Sequence, residues 1–422
     1  MAAKPLLEEL SNAPAGRVVN HDMQHKGAVH VAPSQSEPRS RNQQERKLAI
    51  YPAAAGYDLV DELDYLCARA IEPNVFFNPR FLAPAMPRLQ SKEIRLAVIR
   101  DRNDDRNRLR MLVPFSVERH FSILGQSYLR SWATPFGPLG IPLIDCDDPV
   151  SVVEDFLAII GRPRLKLPDV FVFPRMRLKG AASNVIQAAC KRLDLPFLLT
   201  DVTSRACLNS DLESSDYLKS HVSAHHRGEW RRLRRRLSEA GTLEYHLFRS
   251  REDIRRETEA FLTLEASGWK GRMRTAMVID RLQAAFAREA IHRLAERDLC
   301  RIHALKLNGR TIASLVVFIE NGVAYTWKTA YDEDYAAYSP GALLMVEATR
   351  THLEDPNILM TDSCAFAENK LMNKVWKERI EIGTIMIGLH PSSNKKVARV
   401  AREIRNDTRY RFAMKRLRHR LN

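Results

Sequence analysis

The chain has 422 residues, 45% of them hydrophobic and 28% charged, an ordinary globular composition long enough for two domains rather than one core. Apolar runs such as Ala313 to Ile319 are far too short to span a bilayer, and the first residues lack a basic start leading into an apolar core, so a cytoplasmic chain is expected. The excess of 15 positive charges is uneven: Lys395 to Asn422 holds 11 Lys or Arg against two acids, a net of +9, which leaves +6 for the remaining 394 residues.

Met1 to about Arg46 is polar, charged and proline-containing, too poor in apolar residues to fold alone. Leu59 to Ala70 reads as an amphipathic helix, and Phe76-Phe77-Asn78-Pro79 opens a second with Phe81, Leu82 and Met86 on its apolar side. Ile94 to Ile99 and Arg110 to Val117 read as a hairpin around the polar turn Asp101 to Arg108. Tyr128 to Trp132 adds a strand, and Pro135-Phe-Gly-Pro-Leu-Gly-Ile-Pro142 is a rigid loop by its Pro and Gly content. A helix over Val150 to Ile160, a strand over Asp169 to Phe173, a helix over Ala181 to Leu193 and a strand over Phe197 to Thr200 complete the first half.

The second half follows the polar stretch Asn209 to Asp216. Ser220 to Ala240 is expected to form one long basic helix, with six Arg and one Glu between His225 and Arg236. Each basic cluster is either a solvated face or a contact for nucleic acid, phosphate groups or an anionic membrane. Leu243 to Phe248 is a strand, and Asp253 to Glu265 and Ile279 to Glu296 are helices. Leu299 to Leu307, Thr311 to Glu320 and Val323 to Ala330 are strands joined by Asn308-Gly309 and Asn321-Gly322, the strongest short-range hairpin signals, so they form a meander.

Beyond the meander lies the polar, aromatic loop Tyr331 to Tyr338, then Ser339-Pro340-Gly341 opening an apolar helical run. Ser suits the cap and Pro the first helical position. Asp355-Pro356-Asn357 ends that helix, and Ile358 to Asp362 is short enough to return as a parallel strand. The helix start therefore lies beside the end of the third meander strand, where free amides attract phosphate. A short helix around Leu371 to Trp376 and a strand pair over Ile380 to Leu389 follow. Both halves repeat the order strands, loop, helix, strand, a structural repeat without sequence repeat. The six cysteines have no close pair and the 13 histidines no HExxH spacing, so neither a disulfide framework nor a metal site is indicated.

The order of elements, Trp269-Lys270-Gly271, the block Ala330 to Leu344, and Asp362 followed by Asn369-Lys370 and Trp376 together resemble the CelD-type acetyltransferases of the GNAT superfamily. That family is associated with cellulose and exopolysaccharide loci and related in fold to the Fem-type aminoacyl transferases. The resemblance runs from about Tyr57 to Leu389. It implies an α+β fold of tandem GNAT-like halves, each a mixed, mainly antiparallel sheet flanked by helices. The expected division is a disordered tail 1–46, an N-terminal half 47–205, a C-terminal acyltransferase half 206–392 and a basic helix or tail 393–422.

The resemblance also implies acetyl-CoA or another acyl-CoA as co-substrate, with no metal, and a small-molecule or saccharide acceptor. Trp327, Lys328 and Thr329 would meet the pantetheine, and Ser339, Gly341, Ala342, Leu343 and Leu344 the diphosphate. The family's loop carries an Arg or Gln and two glycines, whereas this chain offers only Gly341. Trp269 and Lys270 are acceptor-side candidates. Direct attack on a thioester needs a base and an acid for the leaving thiolate. Asp362 and Glu368 are candidate bases, and Tyr338 a candidate donor to the sulfur. Each has a plainer reading: Asp362 as a turn cap, Glu368 as a solvated acid, Tyr338 as cover for a sheet edge. The alternative functions are a Fem-like transferase using charged tRNA, and a non-catalytic scaffold of a polysaccharide synthesis complex.

Overall fold

The computed structural model describes residues 3–11, 45–89, 92–102, 107–119 and 125–421. Most of the expected disordered tail lies outside the described residues. Its start does not: β1 (Leu7–Leu10) pairs antiparallel with β2 (Arg46–Pro52), Leu7 opposite Ile50. That ordered edge strand is a correction, since the segment borrows the neighbouring strand's ladder instead of needing a core of its own.

After β2 come helices α1 (Val60–Arg69) and α2 (Pro79–Leu89), then β3 (Arg95–Asp101) and β4 (Leu109–Arg119). β5 (Ser127–Ser131), the two-residue β6 (Leu143–Ile144), α3 (Pro149–Ile160), β7 (Val170–Arg177), α4 (Ala181–Arg192) and β8 (Phe197–Leu208) follow. Strands β2 to β5 form an antiparallel meander, and β5 then pairs parallel with β7 at only two positions, Leu129↔Phe171 and Arg130↔Val172.

The basic segment splits where one long helix was expected. It forms α5 (Ser214–His221) and α6 (Ala224–Glu239), because Val222 is extended and Ser223 caps α6 by accepting from the His226 amide. The chain continues through β9 (Leu243–Phe248), α7 (Arg251–Ser267), the single turn α8 (Trp269–Arg272) and α9 (Arg281–Ala295). The meander β10 (Cys300–Leu307), β11 (Arg310–Glu320) and β12 (Val323–Tyr331) turns at Asn308-Gly309 and Asn321-Gly322, all four with positive φ as two-residue hairpins demand. Then follow α10 (Pro340–Glu354), β13 (Met360–Asp362), α11 (Lys370–Val375), β14 (Glu378–Gly388) and α12 (Asn394–Leu421).

The halves repeat one topology, four antiparallel strands and then a parallel fifth, and they are joined by exchange. In the continuous sheet β14 lies between β7 and β8, and β8 lies between β14 and β13. Each half's fifth strand is thus flanked by the last strand of the other half. Two expectations change accordingly. β14 is one long strand rather than a pair, and β8 continues past Thr200 to Leu208. The continuation is polar and largely exposed from Asp201 to Ser204, so it carries no apolar strand signal.

Helices α1, α2, α7 and α9 cover one face with a core common to both halves; the Phe81 ring meets Phe286 edge-on at 5.2 Å. A second cluster packs α5, α6, α10 and α11 on the opposite face of the second half. The basic helix α12 docks by Val397, Val400 and Ala401 against Val172 and Met386, and Lys396 pairs with Asp169. No helix among the described residues is long and apolar enough to cross a membrane.

Candidate active site

β12 and β13 stay paired for three positions, Val323↔Met360, Ala324↔Thr361 and Tyr325↔Asp362, and then part. Thr326 Oγ1 donates to the Ser363 carbonyl at 2.7 Å at the mouth of the split. On the other edge of β12 the ladder to β11 slips between Thr326 and Lys328, which leaves Trp327 as the extra residue of a β-bulge. A bulge beside a strand split re-aims backbone groups toward the opening.

Side chains from both halves close in on this bulge. Trp327 Nε1 donates to the Phe136 carbonyl at 2.6 Å. Lys328 Nζ lies 4.6 Å from the Phe136 ring centroid and 3.4 Å from the Pro135 carbonyl oxygen. Burial, with the charge of nearby Lys270, lowers the Lys328 ammonium pKa to about 8. Lys270 in turn donates to Glu265 at 2.7 Å and to the Thr329 carbonyl at 3.5 Å. Trp327, Lys328, Thr329 and Lys270 are therefore neighbours. Trp269 stands 51% exposed at the rim, its amide donating to Glu333 at 2.7 Å, and Arg272 binds the same carboxylate.

The start of α10 faces the same end of β12. Ser339 adopts φ +52°, Pro340 takes the first helical position, and the Ser339 side chain caps no amide. The Ala342 and Leu343 amides already reach back to the Ser339 carbonyl at 2.9 and 3.2 Å. That leaves the Gly341 amide without a partner among the described residues. Leu343 and Leu344 are core side chains of the second cluster, so they can offer a ligand only their backbone.

Tyr338 is half-buried, with the Arg236 guanidinium 5.6 Å from its ring centroid, and so turns toward α6. Other α6 cations are also engaged: Arg234 pairs with Glu347, and Arg227 donates to carbonyls at the end of α5. Glu368 is exposed on the turn before α11.

Asp362 occupies a different environment from the cleft it was expected to face. Its carboxylate is fully buried, and one oxygen accepts from Arg205 at 2.7 Å and from Arg177 at 3.2 Å. Its other oxygen accepts from the Cys364 amide at 2.9 Å. Burial alone would raise its pKa, but Arg205 and Arg177 outweigh burial and hold it below the usual carboxylate range. Arg177 also pairs with Glu72 at 3.4 Å and lies 5.5 Å from the Tyr325 ring centroid. A carboxylate so stabilised in its charged form is a weak proton acceptor, and we assign it to the lock between the exchanged strands.

Cys364 sits beside this network with φ +49°, and burial pushes its thiol pKa up, the opposite of an activated nucleophile. Two groups of potential metal ligands occur among the described residues, Asp145-Cys146-Asp147 and His225-His226-Glu229. The acids of the first are bound by Arg69 and Arg108. In the second, His226 stacks on Trp230.

Sequence reasoning missed Phe136, Arg177 and Arg205. The loop holding Phe136 was legible as rigid, but its contact with β12 spans 191 positions. The two arginines lie in strands whose partners come from the other half.

Residues 224–359 match a family model described as an acetyltransferase (GNAT) domain. No curated protein matches the chain. Among solved structures, a conserved protein of unknown function from Bacteroides thetaiotaomicron is similar over 78% of this chain and 96% of its own, at 12% identity and TM-score 0.49. FemX is similar over 77% of this chain and 95% of its own, at 9% identity and TM-score 0.47. A tandem GNAT protein from the clavulanic acid biosynthesis pathway is similar over 81% and 98%, at 13% identity and TM-score 0.41.

Proposed function

We propose that the chain, whose residues 224–359 match a family model described as an acetyltransferase (GNAT) domain, is an acyltransferase whose donor is acetyl-CoA or another acyl-CoA and whose acceptor is the amine or hydroxyl of a small polar molecule, a sugar or polysaccharide precursor among them. The observation that carries this reading is the β12–β13 split with its bulge at Trp327, set beside a helix start whose Gly341 amide has no partner among the described residues. The pantetheine lies along Thr326 to Thr329, where exposed strand edges can bond its amides. The diphosphate sits at Gly341, on the positive end of α10.

The acceptor enters on the Pro135–Phe136 side. Its nucleophilic atom attacks the thioester carbon, Lys328 as neutral amine takes the proton released, and the ammonium so formed returns that proton to the departing thiolate. Lys328 rather than Asp362 is the base, because its pKa of about 8 places both protonation states within reach near neutral pH. Tyr338, turned toward α6, is left as a wall of the diphosphate loop.

Calorimetry with acetyl-CoA tests the reading. The native chain should bind at submillimolar ligand, and Gly341→Glu should lose that binding by tenfold or more. No heat from the native chain, or unchanged heat from Gly341→Glu, would overturn it.

A further inference from the structure

The first half has its own split, and it holds a cavity of about 610 Å³. β5 leaves β7 after Arg130↔Val172, and Pro135, Phe136, Arg130 and Arg175 line the opening, with Asp407 from α12 on the wall. Phe136 is the same ring that contacts Lys328, so the cavity and the β12 bulge share a wall.

Arg175 stands apart from the other charges here. Glu118, the second acid of the cavity, is engaged by Lys92 at 3.0 Å and faces Arg130 at 3.9 Å. The Arg175 side chain has no hydrogen bond or ion pair with any described residue. Burial lowers its pKa, and the neighbouring Arg205 and Arg130 lower it further. Its backbone is left-handed at φ +54°, a conformation that residues other than glycine rarely adopt. That conformation is fixed from outside: the Gly140 amide donates to the Pro174 carbonyl at 3.2 Å, and a Cβ on Gly140 would lie 2.4 Å from that oxygen. The loop and the strand thus clamp an unpaired cation toward the cavity. Counted together, Lys92, Arg130 and Arg175 against Glu118 and Asp407 leave one positive charge uncompensated.

We propose that this cavity is the acceptor subsite and that Arg175 receives an oxyanion of the acceptor, a phosphate or a carboxylate, while the acceptor's nucleophile passes Phe136 toward Lys328. The guanidinium fork suits either group in bidentate fashion. This rests on the acyl-transfer reading for the direction of the nucleophile; the anion site itself is measured without any acyl donor.

The full chain is titrated with glucose 1-phosphate, glucuronate and neutral glucose, followed by ligand-observed NMR. At least one charged probe should bind tenfold or more tightly than glucose, and which one does so tells phosphate from carboxylate. Arg175→Gln should reduce that preference below twofold and Arg175→Lys should keep part of it. In the native chain the preferred probe should also shield the Arg175 peptide from phenylglyoxal, a readout that does not depend on a variant folding. No preference over glucose, a preference that survives Arg175→Gln, or no shielding would overturn the proposal. Loss of acetyl-CoA binding in a separate titration would strike the donor site alone.

Discussion

Arg205 on β8 and Asp362 at the end of β13 meet across 2.7 Å with both side chains almost wholly excluded from solvent. The pair ties the last strand of the first half to the fifth strand of the second, and Arg177 on β7 extends it to Glu72. Removing one partner of such a buried network strands charges in low dielectric and typically costs about 3–5 kcal/mol.

Asp362→Asn should therefore lower stability by roughly that amount in urea unfolding. Because the folded pKa of Asp362 is depressed, its contribution is fully present above the unfolded value near 3.9 and is lost as pH falls through the folded one. Stability lost on substitution should thus be constant from pH 5 to 8. The folded fraction of Asp362→Asn should keep a pH–rate profile of native shape; a profile that loses its rise with pH would make Asp362 the base after all.

The base assigned here predicts its own pH dependence. With Lys328 near pKa 8, native kcat/KM should rise with pH and level off above about 8, as the amine loses its proton. Lys328→Met should remove that limb and lower kcat/KM by about 100-fold. A variant that retains the limb would reduce Lys328 to packing against Phe136.

A second buried pair sets the acid side of the stability curve. His303 and His352 face each other at 3.3 Å between ring nitrogens, bonded to Tyr245 and Thr361. Burial lowers both pKa values, that of His352 to about 4. Between that value and 6.5 the unfolded chain binds more protons, so stability is fully present above pH 6.5 and falls as pH drops toward 4. His352→Gln should lessen the decline, by on the order of 2 kcal/mol at pH 4.5. Glu320, raised by burial to about 7, titrates there with the opposite sign, so the comparison is best made in a Glu320→Gln background.

The diphosphate site offers a substitution with separable effects. A Cβ at Gly341 would meet only Tyr331, at 3.6 Å, an ordinary contact. A glutamate in the first turn of a helix favours the helix while repelling phosphate. Gly341→Glu should then keep its thermal midpoint within about 2 °C, because the added Cβ meets no close contact, while acetyl-CoA no longer raises it.

The second half was legible because its signals are local. Asn308-Gly309 and Asn321-Gly322 dictate the turns, and Ser339-Pro340 dictates the helix start, so the sequence alone puts Trp327 to Thr329 and Gly341 at one end of β12. What escaped depends on distant partners. Nothing near Asp362 announces the arginines of β7 and β8, which turn a strand-end acid into a structural ion pair. Arg175 gives no signal at all, since its exposure to the cavity comes from a bulge held by Gly140, 35 positions earlier in the chain. The polar residues of β8 hid a strand whose ladder is supplied by the other half.

Hydrogen exchange with and without acetyl-CoA distinguishes donor binding in one half from donor binding in the other, because the two halves offer two splits of the same kind. Acyl-donor binding in the second half predicts slowed exchange in peptides covering Thr326 to Thr329 and Ser339 to Leu344, with Arg130 to Phe136 and Pro174 to Met176 unchanged. Protection of the first-half peptides instead, with none at Ser339 to Leu344, would move the donor site to the first half and overturn the assignment of Gly341.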